Sequence, residues 1–528
     1  MKILSKNIKE CNIFILLLVA VLIIGGSAYT SYAIFTTKVE GESSIEVGVG
    51  CNTFDVDLIS TSLGKDSSNA NEPVLLDNMI PVVYDGCSNW LKADTSKNWY
   101  NYDKKTWANA VTVSEENREA YLNAEPGTVI EMSDINTMWV WIPRYKYTIF
   151  NANMSGNETT KEQEIEILFE DGTASTGTVN CIDGINNSDG TSEVCTDSTY
   201  GDVTNNSSTY THPAFTFGDD ELTGFWFAKF ENSLDGNNNI IIKPDVLSWN
   251  NHTISTAFEY SRKMESQNNI YGFSSSATAY NATGELDGDT NNFDTHMIKN
   301  MEWGAVAYLT QSKYGRCTDG LCSEIYINNS ARQDENNVDL WLDTYTGRSG
   351  GAVGGSVSYK AYGSYSYNDY VISDTNTKGE KVKGAGVGAS TTGNIYGIYD
   401  MSGGTYDRVM ANMVSANGNF HVGMADVWST SLHPTLKYYD RYSYGETSSD
   451  ADAYKRGKLG DATKEILKTV DTNIGWYRDG VVFPYSGLSW FYRGGRVDYN
   501  SRSGLFNLGR SYGSEYTPHG SRTALAIY

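Results

Sequence analysis

The chain has 528 residues and carries 64 acidic against 40 basic side chains, a net charge of −24. That balance argues against a nucleic-acid partner, because phosphate contacts need clustered Lys and Arg. With 40% hydrophobic and 12% aromatic residues the chain is not disordered, and 37 Tyr and 51 Gly against 9 Pro point to a β-rich exported or binding protein rather than a helical bundle.

The N-terminus sets the compartment. Lys2, Lys6 and Lys9 precede an apolar run from Ile13 to Ile24. Positive charges ahead of a hydrophobic core predict a cytoplasmic N-terminus and an exported remainder. Two readings compete. Within residues 1–39, Ser31-Tyr32-Ala33 has the small-residue spacing of a cleavage site, so Ala33 would end a cleaved signal peptide. Alternatively, residues 13–35 are long enough to span a bilayer of ~30 Å as a retained anchor. Either places the protein on the cell surface or in the medium. Cysteine usage agrees. Cys11 sits at the edge of the apolar run, and Cys51, Cys87, Cys181, Cys195, Cys317 and Cys322 make an even set beyond it. Cys181 with Cys195, and Cys317 with Cys322, bracket turn-like loops and are expected to form disulfides. A zinc site would need four converging ligands, and the sequence has neither a CxxC pair nor a nearby His.

Residues 40–75 are polar and read as a stalk or small β segment. Met79–Tyr84, Trp107–Val113 and the aromatic run Met138–Phe150 read as strands, with Pro143 marking an edge or bulge. Ile165, Ile167 and Phe169 alternate onto one face, and Asp171-Gly172 predicts a hairpin turn after them. Residues 183–210 read as loop, and Phe225–Phe230 as another strand. Two helices follow. Thr253–Met264 places Ile254, Ala257, Phe258, Ser261 and Met264 on one face, with Thr253 as the cap. Asn300–Tyr314 carries Trp303, Val306, Ala307 and Thr310 at helical spacing, with Gly315 expected in the left-handed terminal position. Residues 345–392 read as Gly/Ser/Tyr-rich loop, and short strands and turns resume after about 393. The mixture predicts an α+β fold.

Three C-terminal segments carry a resemblance. They are Glu302-Trp303 on a helix; the stretch from Gly393 through Asp400-Met401-Ser402-Gly403-Gly404 to Thr405-Tyr406-Asp407; and Trp490-Phe491-Tyr492-Arg493-Gly494-Gly495, followed by Gly504-Leu505-Phe506 and Gly520-Ser521-Arg522. Their order resembles the formylglycine-generating-enzyme (sulfatase-modifying-factor) branch of the C-type-lectin fold. The likeness is closer to its non-enzymatic cousins, the variable proteins of diversity-generating retroelements and related gut-bacterial surface proteins. It implies that residues 76–528 form one C-type-lectin-like ligand-binding domain. It also implies a structural frame of Trp303, Gly403, Gly404, Arg493, Gly494, Gly495, Phe506 and Arg522. Departures occur at Gly404-Thr405-Tyr406-Asp407, where the family has G-N-V-W-E, at Arg496, and at Ser521-Arg522, where it has F-R.

The residues give these segments a role of their own. Gly494-Gly495 permits positive φ or close backbone approach, and Arg493 and Arg522 can fork onto carbonyls or carboxylates. The stretch 496–520 has the Tyr/Ser/Asn/Gly composition of an adaptable contact surface. The candidate contacts are Tyr492, Arg496, Asp498, Tyr499, Asn500, Arg510, Tyr512, Tyr516 and His519.

Enzyme readings find little support. Formylglycine-generating chemistry needs late cysteines, and the last here is Cys322. The six His are scattered without ligand spacing. No G-x-S-x-G elbow is present. Gly384–Gly388 lacks the Lys-Ser/Thr ending of a phosphate loop. Asp287, Asp289, Asn291 and Asp294 cluster in sequence without EF-hand spacing. A binder of this kind needs no cofactor; family analogy leaves room for calcium, with ligands the sequence does not assign. The expected function is non-covalent binding of an extracellular protein or glycan, with membrane attachment through residues 13–35 if the anchor is kept. An enzyme of the same superfamily with other metal chemistry, and a structural or pilus-like subunit, are the rivals.

Overall fold

The computed structural model describes residues 56–86, 89–152, 161–244, 246–325, 389–425, 427–496 and 503–528, with residue 387 and the short paired segments 33–34, 48–49, 332–333 and 339–340. The chain divides into two units, Met1–Asp55 and Val56–Tyr528. Of the first, an antiparallel pair of Ala33–Ile34 with Gly48–Val49 is described. Most of the expected signal or anchor segment, together with Cys11, Cys51 and Cys87, lies outside the described residues. Among the described residues no helix is long and apolar enough to cross a membrane. The second half of the expected stalk belongs to the large unit. Val56–Leu63 is a helix, and the backbone after it is pinned to the sheet, where Trp141 Nε1 donates to Asn71 O at 3.1 Å and Trp226 Nε1 to Val74 O at 2.6 Å.

The large unit is built on an eight-stranded antiparallel sheet. Its order is Phe293–Met297, Thr523–Ile527, Gly224–Ala228, Ile135–Pro143, Asn109–Val113, Ile80–Tyr84, Trp90–Lys92, Val129–Ile130. The central strands are buried on both faces. This is why they read as continuous apolar and aromatic runs rather than as alternation. Among the described residues eight Trp are fully buried, with Trp90, Trp139, Trp141 and Trp226 on this sheet. Much of the aromatic content is therefore core, where each such ring removes ~150–250 Å² from water. With helices laid against antiparallel sheets, the fold is α+β.

Pro143 ends its strand opposite Gly224. The chain then crosses at Arg144 into a three-stranded sheet of Thr209–Thr211, Tyr145–Thr148 and Ile167–Phe169. Arg144 is fully buried at this corner. It donates to Glu170, Ser175 and the carbonyls of Phe215 and Leu222, and pairs with Glu221 at 2.7 Å. The hairpin expected at Asp171-Gly172 does not form. The turn is present, with Gly172 at φ 60°, but Ile167–Phe169 pairs back onto Tyr145–Thr148. The expected loop 183–210 contains the strand Glu193–Asp197, which pairs with Val179–Asp183.

The helix Ile254–Lys263 has the expected cap, with Thr253 Oγ1 accepting from Thr256 N at 3.1 Å, and the expected buried face. The next helix ends earlier than its apolar pattern, at Asn300–Thr310, and every residue in it is buried. A helix enclosed on all sides has no single apolar stripe to mark its end. Gly315 is not its left-handed terminator. A Cβ there would stand 2.2 Å from Thr310 O, so this glycine permits close backbone approach.

A second sheet holds the C-terminal motifs. Tyr406–Met413 lies at its centre, antiparallel to Trp490–Arg493 and parallel to His519–Ser521 and Asp440–Tyr442; Leu508–Ser511 pairs outside Trp490–Arg493. Arg522 alone separates His519–Ser521 in this sheet from Thr523–Ile527 in the first. Like Arg144, it is a buried guanidinium at a corner between sheets.

Candidate functional site

The expected frame residues converge. Gly403, Gly404, Gly494 and Gly495 all have positive φ, between 70° and 85°, a region where only glycine is free of a Cβ penalty. At Gly495 a Cβ would also stand 2.6 Å from the Cα of Ser503. Gly494 O accepts from both Gly403 N (3.2 Å) and Gly504 N (3.1 Å), which ties the motif segments together. Trp303 Nε1 donates to Leu505 O at 2.9 Å, and the Arg493 guanidinium lies 5.9 Å over the Trp303 ring. Phe506 is buried against Trp476, with ring centroids 5.5 Å apart. Arg522 forks as expected. It donates to Asp407 Oδ2 at 3.2 Å and to the carbonyls of Ala228 and Tyr399, each at 2.9 Å. It thus joins the first sheet, the second sheet and the motif loop. A buried ammonium, Lys229, holds the same loop through Asn109 Oδ1, Ile395 O and Gly397 O at 2.7–2.8 Å.

On this frame sits an aromatic surface. The rings of Tyr406 and Tyr492 lie 4.1 Å apart, with the Arg496 guanidinium 5.6 Å from the Tyr406 ring. Tyr516 packs edge-on against His519 at 5.1 Å. Tyr512 and Tyr516 are about half exposed, and Met424, whose N–H donates to Tyr512 O, is exposed beside them. Arg510 is half-buried, with its guanidinium 4.7 Å over the Tyr485 ring.

One expected contact is corrected. His519 is 3% exposed and enclosed by Tyr406, Tyr492 and Tyr516. Its Nδ1 accepts from Arg408 Nε at 3.1 Å. Burial and the Arg408 charge drive its pKa well below the usual histidine range. His519 is therefore a neutral support beneath the tyrosines, not a contact. Asp498, Tyr499 and Asn500 lie outside the described residues. Sequence reasoning missed Met424, which is exposed, and Tyr406, a buried ring that supports Tyr492.

Four buried carboxyls have raised pKa values. Glu465 accepts from Tyr308 OH (2.7 Å), Tyr147 OH (3.0 Å) and Gly460 N (2.8 Å); burial pushes its pKa up to about 7. Burial likewise raises Asp461 to about 6 and Asp407 to about 6, and Glu231 well above the carboxylate range. Glu231 Oε1 accepts from Thr405 N beneath Gly404. These carboxyls bind backbone and neighbouring side chains inside the core, so their shifts describe architecture.

Both expected disulfides form, Cys181–Cys195 and Cys317–Cys322, each across directly paired positions of a hairpin. Glu193 stands with Cys181 and Cys195 close enough to share an ion, but their sulfurs are bonded to each other and are not thiolate ligands in this state. The acidic run from Asp287 to Asp294 does not converge. Asp294 is buried on Arg262, Lys437 and Tyr438, while Asp287 is exposed. No protein-family model matches the sequence, and no curated protein matches it.

Proposed function

We propose that this chain is an exported surface protein that binds an extracellular protein or glycan non-covalently through its C-terminal aromatic surface. The domain is read as C-type-lectin-like, of the formylglycine-generating-enzyme type. The observation that carries the proposal is the aromatic group Tyr492, Tyr512 and Tyr516, with Arg496 alongside and the buried Tyr406 and His519 beneath. It is mounted on strands whose turns are positive-φ glycines and whose corner is the buried Arg522. Tyrosines held by packing lose little conformational freedom on binding, so they make effective anchors. Two disulfides support an oxidising compartment.

The test is a glycan array and a surface-protein pull-down with the purified full chain, beside a Tyr512→Ala/Tyr516→Ala variant. Specific capture that the variant loses, with its circular dichroism unchanged, supports the reading. Capture that the variant retains moves the site elsewhere. Absence of capture favours a structural subunit.

A further inference from the structure

A groove of about 720 Å³ opens elsewhere on the large unit. It lies between the disulfide-bridged hairpin at Ile182, the turn at residues 216–220, the start of the helix Asn300–Thr310, and residues 435–440. Six acids and three lysines line it, and they are layered. At the floor, Lys299 is 5% exposed, with its ammonium 4.9 Å over the Phe217 ring. The buried carboxylate of Glu302 and that of Asp440 both act on Lys299, and Asp440 acts on Lys458 as well. The floor charges therefore cancel and call for no ligand anion. Hydrogen bonding is what is unmet there. Among the described residues the Lys299 ammonium has no acceptor, so a neutral oxygen that reaches it gains a charge-assisted hydrogen bond.

The rim is acidic. Asp183 pairs with Arg441, Glu193 with Lys464 at 2.8 Å, and Glu285 with Lys437 at 3.8 Å. Asp219 and Asp220 differ. They stand at the tip of the hairpin formed by Thr216–Phe217 and Asp220–Glu221, both exposed. Among the described residues neither carboxylate has an ion pair or a side-chain hydrogen bond. Apolar surface lies beside them, with Ile182 62% exposed and Leu436 54% exposed. The aromatic rings of the lining, Tyr210 and Phe217, are not exposed. The apolar contact on offer is thus aliphatic, which suits peptide side chains.

We propose that this groove docks an extended basic segment of a partner protein, with a backbone carbonyl accepting from Lys299, Lys or Arg side chains at Asp219 and Asp220, and aliphatic side chains against Ile182 and Leu436. A cation at the rim and a neutral oxygen at the floor complement both layers, whereas an anion would meet the rim acids first. The chain's net charge of −24 draws such a segment in. The groove and the C-terminal aromatic surface share no residue, so this inference does not rest on that reading.

The test titrates the purified full chain by calorimetry with the acetylated, amidated peptide Leu-Arg-Leu-Arg. Its counterpart Leu-Glu-Leu-Glu and a glucosamine trimer, a cationic sugar, are run in parallel. The Arg peptide is expected to bind about tenfold or more tighter than the Glu peptide. Asp219→Asn/Asp220→Asn, at exposed positions, is expected to lose about fivefold, the worth of two exposed ion pairs. Leu436→Ser is expected to lose a similar factor. Glu115→Gln/Glu116→Gln removes the same charge from an exposed helix elsewhere and is expected to change little, which separates docking from general attraction to an acidic chain. Tyr512→Ala/Tyr516→Ala is expected to bind the peptide unchanged. The proposal is overturned if Asp219→Asn/Asp220→Asn binds like the parent, if Glu115→Gln/Glu116→Gln loses as much, if the Glu peptide binds as well as the Arg peptide, if the glucosamine trimer binds in place of the peptide, or if no Arg peptide binds up to ~5 mM.

Discussion

Two tyrosine groups in this protein do opposite work. Around Glu465, Tyr147 and Tyr308 are fully buried and aim their hydroxyls at one carboxylate. Around His519, Tyr406, Tyr492 and Tyr516 pack by their rings, and Tyr516 stays half in water. In the first group the hydroxyl is spent on the fold, and in the second the buried Tyr406 ring is a support while the exposed half of Tyr516 remains for a partner. A count of 37 tyrosines therefore does not by itself signal a binding surface. Where each hydroxyl goes distinguishes scaffold from contact.

The largest effect is expected from Glu465→Ala. It strips the acceptor from two buried hydroxyls and a backbone N–H and leaves a cavity, at a cost of about 3–5 kcal/mol. Urea unfolding measures this, and a similar loss for Tyr516→Ala would break the contrast. Next comes pH. Glu465 takes up its proton more readily folded than unfolded, with a pKa of about 7 against 4.5. Its contribution is thus fully present below pH 4.5 and is lost as pH rises toward 7. Asp461 and Asp407, raised to about 6, act in the same direction. Glu465→Gln should flatten the decline between pH 4.5 and 7, and an unchanged slope would remove Glu465 as a source. A smaller effect, about 1.5–2 kcal/mol, is expected for Tyr308→Phe, which deletes one hydrogen bond to a buried carboxylate. The smallest is Tyr512→Ala with Tyr516→Ala, at about 0.5 kcal/mol or less in stability. There the change should appear in ligand capture, and a large loss of stability would return these residues to the scaffold.

Much of this was written locally. The strands at Ile80–Tyr84, Asn109–Val113 and Gly224–Ala228, the Thr253 cap and the positive φ of Gly494 and Gly495 follow from residue type and spacing. The two disulfides follow from turn chemistry. What escaped the sequence depends on distant segments. Ile167–Phe169 pairs backward because Tyr145–Thr148 offers it an edge, so a turn signal alone could not fix its partner. His519 reads as a polar loop residue until Arg408 and three rings surround it. The groove lined by Ile182, Thr216, Leu436 and Lys458 draws on segments from residue 181 to residue 458, and no local pattern announces their meeting. Glu465 likewise gains its setting from partners more than 150 residues away.

The strand Thr523–Ile527 lies between Gly224–Ala228 and Phe293–Met297, two strands that do not pair with each other. The three residues before Arg522 complete the other sheet. Any process that delivers this chain N-terminus first, synthesis or translocation, therefore presents two open sheets until residue 527 arrives. Both then close together, around one arginine. Such an order leaves both sheets open until residues 519–527 are in place, a stretch that takes about 0.5–2 s to make at ribosomal speeds of about 5–20 residues per second.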